Sequence, residues 1–127
     1  MRWVVLGALL LGLAGCEESE VGGVLVTART QDGATLRASY QRPESDVPRQ
    51  TLLLIHQPGA DHSRRDFDRI WDALVDVGYG LLAIDLRSHG SSDDLGEPDD
   101  LLNDPLAFTR DLDIWLEYID EREAEGE

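Results

Sequence analysis

The chain has 127 residues, a formal net charge of −15 and one cysteine, and all 11 of its basic residues are arginine. This length allows one domain at most. The acidic, lysine-free composition argues against nucleic acid or anionic lipid as an electrostatic partner, and a single cysteine excludes an internal disulfide.

Residues 1–15 have the pattern of an export signal. Arg2 precedes an apolar run that is shorter than the roughly 20 residues of a membrane-spanning helix. The run ends in Leu13-Ala14-Gly15-Cys16, which resembles the lipobox of bacterial lipoprotein signal peptides. That resemblance implies that Cys16 becomes a lipid-modified N-terminus and that residues 16–20 form a tether. An ordinary signal peptide beside a chance cysteine is the alternative.

The lipobox also implies a location. A lipid on Cys16 would attach the exported protein to the membrane of a bacterial cell envelope. Glu17 follows directly, where Asp favours retention in the inner membrane in enteric-type sorting. We therefore expect the outer membrane, if the organism has one.

The predicted domain covers residues 21–122 and begins with strands. Loose alternation over residues 21–30 and 34–41, around the turn residues Gln31-Asp32-Gly33, predicts a β-hairpin. The continuous apolar run over residues 51–56 predicts a strand buried on both faces of a parallel sheet.

The next segment predicts a helix followed by a strand. Ser63-Arg64-Arg65-Asp66 has the form of a capping box, and Gly78 is placed to end the helix. Leu81–Asp85 is the next apolar strand, which completes a strand–helix–strand unit. The predicted apolar stripe of the helix consists of Phe67, Ile70, Trp71, Leu74 and Val77.

The last part of the chain predicts an acidic loop and one more helix. The loop covers residues 93–103, and Asp104-Pro105 has the form of a helix start. We expect residues 121–127 to be frayed, with residues 123–127 forming an acidic tail. The predicted apolar face of the helix consists of Phe108, Leu112, Trp115 and Ile119.

Two motifs at the ends of neighbouring strands resemble a known family. His56-Gln57-Pro58-Gly59 follows one strand, and Asp85-Leu86-Arg87-Ser88-His89-Gly90-Ser91-Ser92 follows the other. This order is similar to the α/β-hydrolase superfamily, closest to its monoacylglycerol-lipase-like and dienelactone-hydrolase-like branches. The resemblance covers the N-terminal half of that fold. It implies a hairpin, then strand–helix–strand and a final helix on a mostly parallel sheet, in a serine hydrolase of ester, thioester or amide bonds.

The resemblance also implies roles for the motif residues. His56, Gln57, Pro58 and Gly59 take the place of the oxyanion loop, where a backbone N–H stabilises the negative oxygen of the tetrahedral intermediate. Proline has no N–H, so Gln57 or Gly59 has to supply this donor. The second motif shapes the turn after its strand through Asp85, Arg87, His89, Gly90 and Ser92, with Ser88 where the family usually has glycine.

The catalytic residues of the family are not found in this sequence. No serine lies in a Gly-x-Ser-x-Gly pattern, so we expect the chain to be inactive alone. Asp61, His62 and Ser63 are a poor triad, because adjacent residues on a loop rarely align for proton transfer. No histidine pair has metal-ligand spacing, so we expect neither a metal nor a cofactor.

Two functions follow as expectations. The first is a lipid-anchored hydrolase of this family present as an N-terminal fragment or as one half of a split enzyme. The second is a non-catalytic envelope lipoprotein that uses the partial fold as an interaction module. In both, residues 52–55 would form an exposed apolar strand edge that pairs with a C-terminal half or with a second copy.

Overall fold

The computed structural model describes residues 22–44, 50–93 and 96–126. The predicted signal, Cys16 and the tether lie outside these residues. Within the described ranges, two short 3₁₀ helices cover Arg64–Phe67 and Pro98–Asn103. The strands and α-helices are β1 (Val24–Arg29), β2 (Thr35–Gln41), β3 (Thr51–Ile55), α1 (Asp68–Val77), β4 (Gly80–Asp85) and α2 (Pro105–Ala124).

The described strands form one sheet in the order β1-β2-β4-β3. β1 and β2 pair antiparallel, which confirms the predicted hairpin. β2 also pairs antiparallel with β4, whereas β3 and β4 are parallel with Leu53 opposite Leu82. Because the hairpin pairs with β4 through the antiparallel strand β2, the described sheet is mixed. Only β3 and β4 are parallel to each other.

β4 is the centre of the core, and each of its residues is buried. Leu82 and Ile84 pack with Trp115 of α2 on one face. Leu81 and Ala83 pack with Trp71 of α1 on the other face. The helices thus cover opposite faces of the sheet, and burying each large apolar side chain between these layers contributes roughly 1.5–3 kcal/mol.

The capping box and the end of α1 agree with the sequence prediction, but the start of α1 and its apolar face differ. Ser63 and Asp66 form the capping box of the 3₁₀ helix, α1 begins one turn later at Asp68, and Gly78 ends α1 with φ of 98°. The predicted stripe is wrong for Ile70 and Val77, which are 47% and 52% exposed. The helix is rotated so that Phe67, Trp71, Leu74 and Val75 face the sheet.

The segment before α2 is more ordered than predicted, since the expected acidic loop contains the 3₁₀ helix Pro98–Asn103 with Leu101 buried in the core. Asp104 caps α2 by accepting a hydrogen bond from the backbone N–H of Ala107 at 3.1 Å. The predicted fraying from residue 121 is wrong, because α2 continues to Ala124. Among the described helices none is both long and apolar enough to cross a bilayer.

Candidate functional site after β3 and β4

The loop after β3 and the turn after β4 lie side by side. β3 and β4 are parallel, and Ile55 is opposite Ile84, so both strands end at the same edge of the sheet. The rings of His56 and His89 meet there, with their centroids 5.0 Å apart and their planes tilted by 55°. The two sequence motifs therefore form one structural unit.

His56 connects the loop to the turn. Its Nε2 accepts a hydrogen bond from the backbone N–H of Leu86 at 3.1 Å, and its Nδ1 lies 2.7 Å from the carbonyl oxygen of Gln57. These partners assign the proton to Nδ1, so the ring is neutral. Burial lowers the pKa of His56, and the neighbouring His89 lowers it further, against the opposing effect of the Gln57 carbonyl.

His89 makes the reciprocal connection from the turn to the loop. Its Nε2 accepts a hydrogen bond from the backbone N–H of Gly59 at 2.9 Å, and its Nδ1 lies 2.8 Å from the carbonyl oxygen of Arg87. Each histidine thus binds a backbone N–H of the segment that carries the other one. This exchange fixes the shape of the predicted oxyanion loop.

The contacts of Gly59 narrow the choice of oxyanion donor. Gln57 and Gly59 were the two candidates, since Pro58 has no N–H. The N–H of Gly59 is directed at His89 in this conformation. The backbone N–H of Gln57 is therefore the remaining candidate, while the side-chain amide of Gln57 lies 2.5 Å from Nε2 of His62.

Asp85 is the buried anchor of the turn. Its carboxylate accepts hydrogen bonds from the backbone N–H of Arg64 at 2.8 Å and of Ser91 at 2.9 Å, and from the Ser91 hydroxyl at 3.0 Å. The guanidinium of Arg64 also forms an ion pair with it. A fully buried carboxylate requires such partners, because an unpaired charge in the core is strongly destabilising. Sequence reasoning missed Arg64, which had appeared only as part of the helix cap.

Gly90 and Ser92 complete the turn around Asp85. Gly90 has φ of 50°, and a Cβ on it would overlap the Asp85 carboxylate. The Ser92 hydroxyl donates to the carbonyl oxygen of Asp85 at 2.7 Å and accepts from the backbone N–H of Arg37 in β2 at 2.8 Å. Ser88, which replaces the usual glycine, has φ of 64°. The motif residues thus maintain the backbone of the turn.

Arg87 attaches the turn to α2 and to the hairpin. It forms a bidentate ion pair with Asp111 at 2.6 and 2.7 Å and a further contact with Asp32 at 3.0 Å. Hydrogen bonding to Asp111 is the main reason that the pKa of Arg87 is raised. This bidentate geometry gives the pair both strength and a fixed orientation.

Asp61, His62 and Ser63 are not arranged as a catalytic triad. Nδ1 of His62 pairs with the carboxylate of Asp66 at 2.7 Å, one helical turn away, instead of with Asp61. The Ser63 hydroxyl accepts the backbone N–H of Arg65 at 3.2 Å as the helix cap. Asp61, His62 and Ser63 therefore do not form a relay. Among the described residues, no group of three His, Cys, Asp or Glu side chains is arranged to hold a metal ion.

An apolar cavity of about 310 Å³ lies against the same loop. His56 and Pro58 of the loop and Leu86 after β4 line it. The 3₁₀ helix and the start of α2 contribute Leu101, Leu102, Pro105 and Phe108. The predicted oxyanion loop thus borders a space suited to an apolar group.

No family model matches the chain, and no curated protein matches it. Among solved structures it is similar to DcsB in complex with its substrate analogue, with 23% identity and a TM-score of 0.59 over 77% of this chain and 32% of that one. It is also similar to the Pyrococcus furiosus esterase PF2001, with 23% identity and a TM-score of 0.55 over 80% of this chain and 35% of that one.

These likenesses establish the fold. The chain has part of an α/β-hydrolase-like fold. It spans about a third of the length of both solved structures. The mouse α/β-hydrolase domain-containing protein 10 is a weaker match, with 11% identity and a TM-score of 0.42.

Proposed function

We propose that this protein supplies the oxyanion-loop side of a serine-hydrolase site and has no hydrolase activity by itself. The observation that carries the proposal is the placement of His56–Gly59 at the carboxyl end of β3, fixed against the turn after β4. In the intact form the site would act on ester, thioester or amide bonds. The nucleophile, acid and base would come from sequence outside these 127 residues.

The role proposed for this chain is electrostatic. The backbone N–H of Gln57 would donate to the oxygen that becomes negative in the tetrahedral intermediate. Removing one such donor from a working site typically costs about 10²–10³-fold in rate. The two hydrogen bonds that His56 and His89 form between loop and turn support this role, because a preorganised donor needs no rearrangement during the reaction.

The full chain in detergent, offered a short-chain nitrophenyl ester and a fluorophosphonate probe, tests the absence of activity. We expect neither turnover nor labelling, because no serine has the Gly-x-Ser-x-Gly context. Turnover that a serine-directed inhibitor abolishes would contradict the proposal.

The genomic sequence downstream tests the origin of the missing residues. An in-frame or frameshifted Gly-x-Ser-x-Gly close by supports a hydrolase in which this chain is one part. Co-expression of the chain with that product should then give esterase activity. In that complex, Pro58→Ala would add a backbone N–H at position 58. Pro58→Val would add the same N–H with a larger side chain, and it is therefore the matched control for side-chain size.

We also propose that the protein is attached to the cell envelope through a lipid on Cys16, in the outer membrane where one exists. The support is the lipobox-like Leu13–Cys16 segment and the following Glu17. Metabolic labelling with a fatty acid should label the wild type and not Cys16→Ser. Labelling that persists in the variant would contradict the attachment site.

A second candidate is a non-catalytic lipoprotein that binds a partner by β-augmentation. β3 is the last strand in the described sheet order, and Ile55 at its end is 39% exposed. An open strand edge of this kind offers backbone groups for pairing. Unrelated sequence after a clean stop codon, together with self-association in light scattering, would favour this function. A monomer at every concentration would count against self-pairing.

A further inference from the structure

His56 and His89 each use Nε2 as a hydrogen-bond acceptor, and this atom accepts only when the ring is neutral. We propose that the two rings form a latch that holds His56–Gly59 on the turn after β4, and that protonation of His56 releases it. Opening would free the N–H of Gly59. The latch does not depend on the proposed hydrolase function.

The geometry opposes protonation of His56 in the closed state. Both residues are buried, with 4% exposure for His56 and 3% for His89. Protonation of Nε2 of His56 would remove the hydrogen bond from the Leu86 N–H, which is one of the two between loop and turn, and would place a buried cation 5.0 Å from the His89 ring. The closed state therefore disfavours the protonated form of His56, and the open state, with a solvated ring, admits the proton.

Charged groups on the neighbouring elements limit this effect without cancelling it. The carboxylates of Asp85 and Asp66 act on His56 in favour of its charged form. Asp85 is paired with Arg64, and Asp66 with His62. Burial and His89 act in the opposite direction, and the pKa of His56 is lowered as a result.

The other two sides of the pair differ in charge. The residues of the 3₁₀ helix and α2 that share a cavity with His56 are apolar, namely Leu101, Leu102, Pro105 and Phe108. On the side of His89, Arg87 is held by Asp111 and Asp32. Glu97, Asp100 and Asp104 line a cavity with Arg87 and Ser88 next to this turn, so this side carries acidic charge.

The sign of the pH dependence follows from the neutral closed state. A solvated histidine has an ordinary pKa of about 6.5, above that of His56 in the closed loop. The latch is therefore most stable above about pH 6.5 and loses stability as the pH falls below this value. For the one proton that His56 takes up, the opening constant rises by up to about tenfold per pH unit.

Amide hydrogen exchange and ring ¹⁵N shifts of the labelled full chain test the latch, measured from about pH 7.5 to about pH 5 across the range of histidine titration. We expect the amides of Gly59 and Leu86 to lose protection together as Nε2 of His56 becomes protonated. Retained protection at both amides after the His56 ring is protonated would overturn the proposal. Simultaneous loss of protection at Leu82 in β4 would also overturn it, because that result indicates global unfolding.

Two variants separate the latch from other effects of pH. His56→Gln places an amide oxygen near the Leu86 N–H but takes up no proton, so the loss of protection at Gly59 with falling pH should disappear. His62→Gln is the matched control on the same loop, and that loss of protection should remain. A pH dependence that disappears in the control and persists in His56→Gln would overturn the assignment. If His56→Gln does not fold, the wild type and His62→Gln still test the latch.

Discussion

The carboxylate of Asp85 fills the space that a side chain on Gly90 would occupy. Gly90 also has a left-handed backbone, with φ of 50°, and its neighbour Ser91 donates its backbone N–H to the same carboxylate at 2.9 Å. The chain therefore wraps closely around a buried charge. Glycine is required here for two separate reasons, conformation and space.

Replacing Gly90 with alanine should destabilise the protein by about 2–4 kcal/mol, since left-handed strain adds to overlap with a buried carboxylate. Gly33→Ala is the matched control, because Gly33 has φ of 89° but nothing within 4 Å of the added Cβ. It should cost only about 1 kcal/mol for the strain. Urea denaturation measures both values, and equal losses would show that Asp85 is not responsible.

Ser88→Gly should be more stable than Ser88→Ala. Ser88 is the one non-glycine residue with positive φ in the described ranges, at 64°. Both variants lose the hydroxyl, but only glycine relieves the strain while it increases the entropy of the unfolded chain, so we expect a net difference of about 0.5–1 kcal/mol. Thermal denaturation measures this difference. A melting temperature for Ser88→Gly at or below that of Ser88→Ala would contradict this account.

Asp111→Asn should destabilise the protein by about 2–3 kcal/mol, because it replaces one partner of a bidentate, mostly buried ion pair with Arg87. Asp32 still contacts Arg87, which keeps the loss below that of a completely unpaired charge. Asp113→Asn on the exposed side of the same helix is the control and should change stability by less than about 0.5 kcal/mol. Chemical denaturation at neutral pH measures the stability of both variants. A similar loss of stability in both would show that the ion pair is unimportant.

Asp93 should contribute to acid denaturation. The backbone N–H of Thr35 and then Arg37 lower the pKa of its carboxyl below 3.8. The ionised form is favoured by folding, so this stabilisation is complete above about pH 3.8 and is lost as the pH falls through the lower, folded-state pKa. Asp93→Asn should therefore unfold with a weaker dependence on acid than the wild type. Asp76→Asn, on the exposed side of α1, is the comparison, and an identical acid profile for Asp93→Asn would refute the assignment.

Local patterns in the sequence were sufficient to predict most of the fold. The hairpin, the strand–helix–strand order and the caps at Ser63, Gly78 and Asp104 depend on residues close in the chain. The rotation of α1 was not predictable, because the choice between Val75 and Val77 as the buried residue depends on how the helix packs on the sheet. Apolar periodicity alone does not resolve that choice.

The contacts within the candidate site were also not predictable from the sequence. The two motifs were recognisable, but each hydrogen bond of the exchange between His56 and His89 joins residues 30 positions apart, and nothing in either motif specifies the partner. Arg64 was equally hidden, since its contact with Asp85 depends on where the 3₁₀ helix passes the end of β4. Pairs of polar groups that are distant in the sequence can be identified only once the fold is known.

The contacts of Ser92 and Asp93 have a consequence for how the hairpin assembles. The backbone N–H groups of Arg37 and Thr35 donate to the side chains of Ser92 and Asp93, and the N–H of Asp93 donates to the carbonyl oxygen of Thr35 at 2.9 Å. A slip of β2 by one residue would break these contacts and turn Leu36 toward the opposite face of the sheet. The segment after β4 therefore selects a single alignment for a hairpin that lies more than 50 residues earlier in the chain.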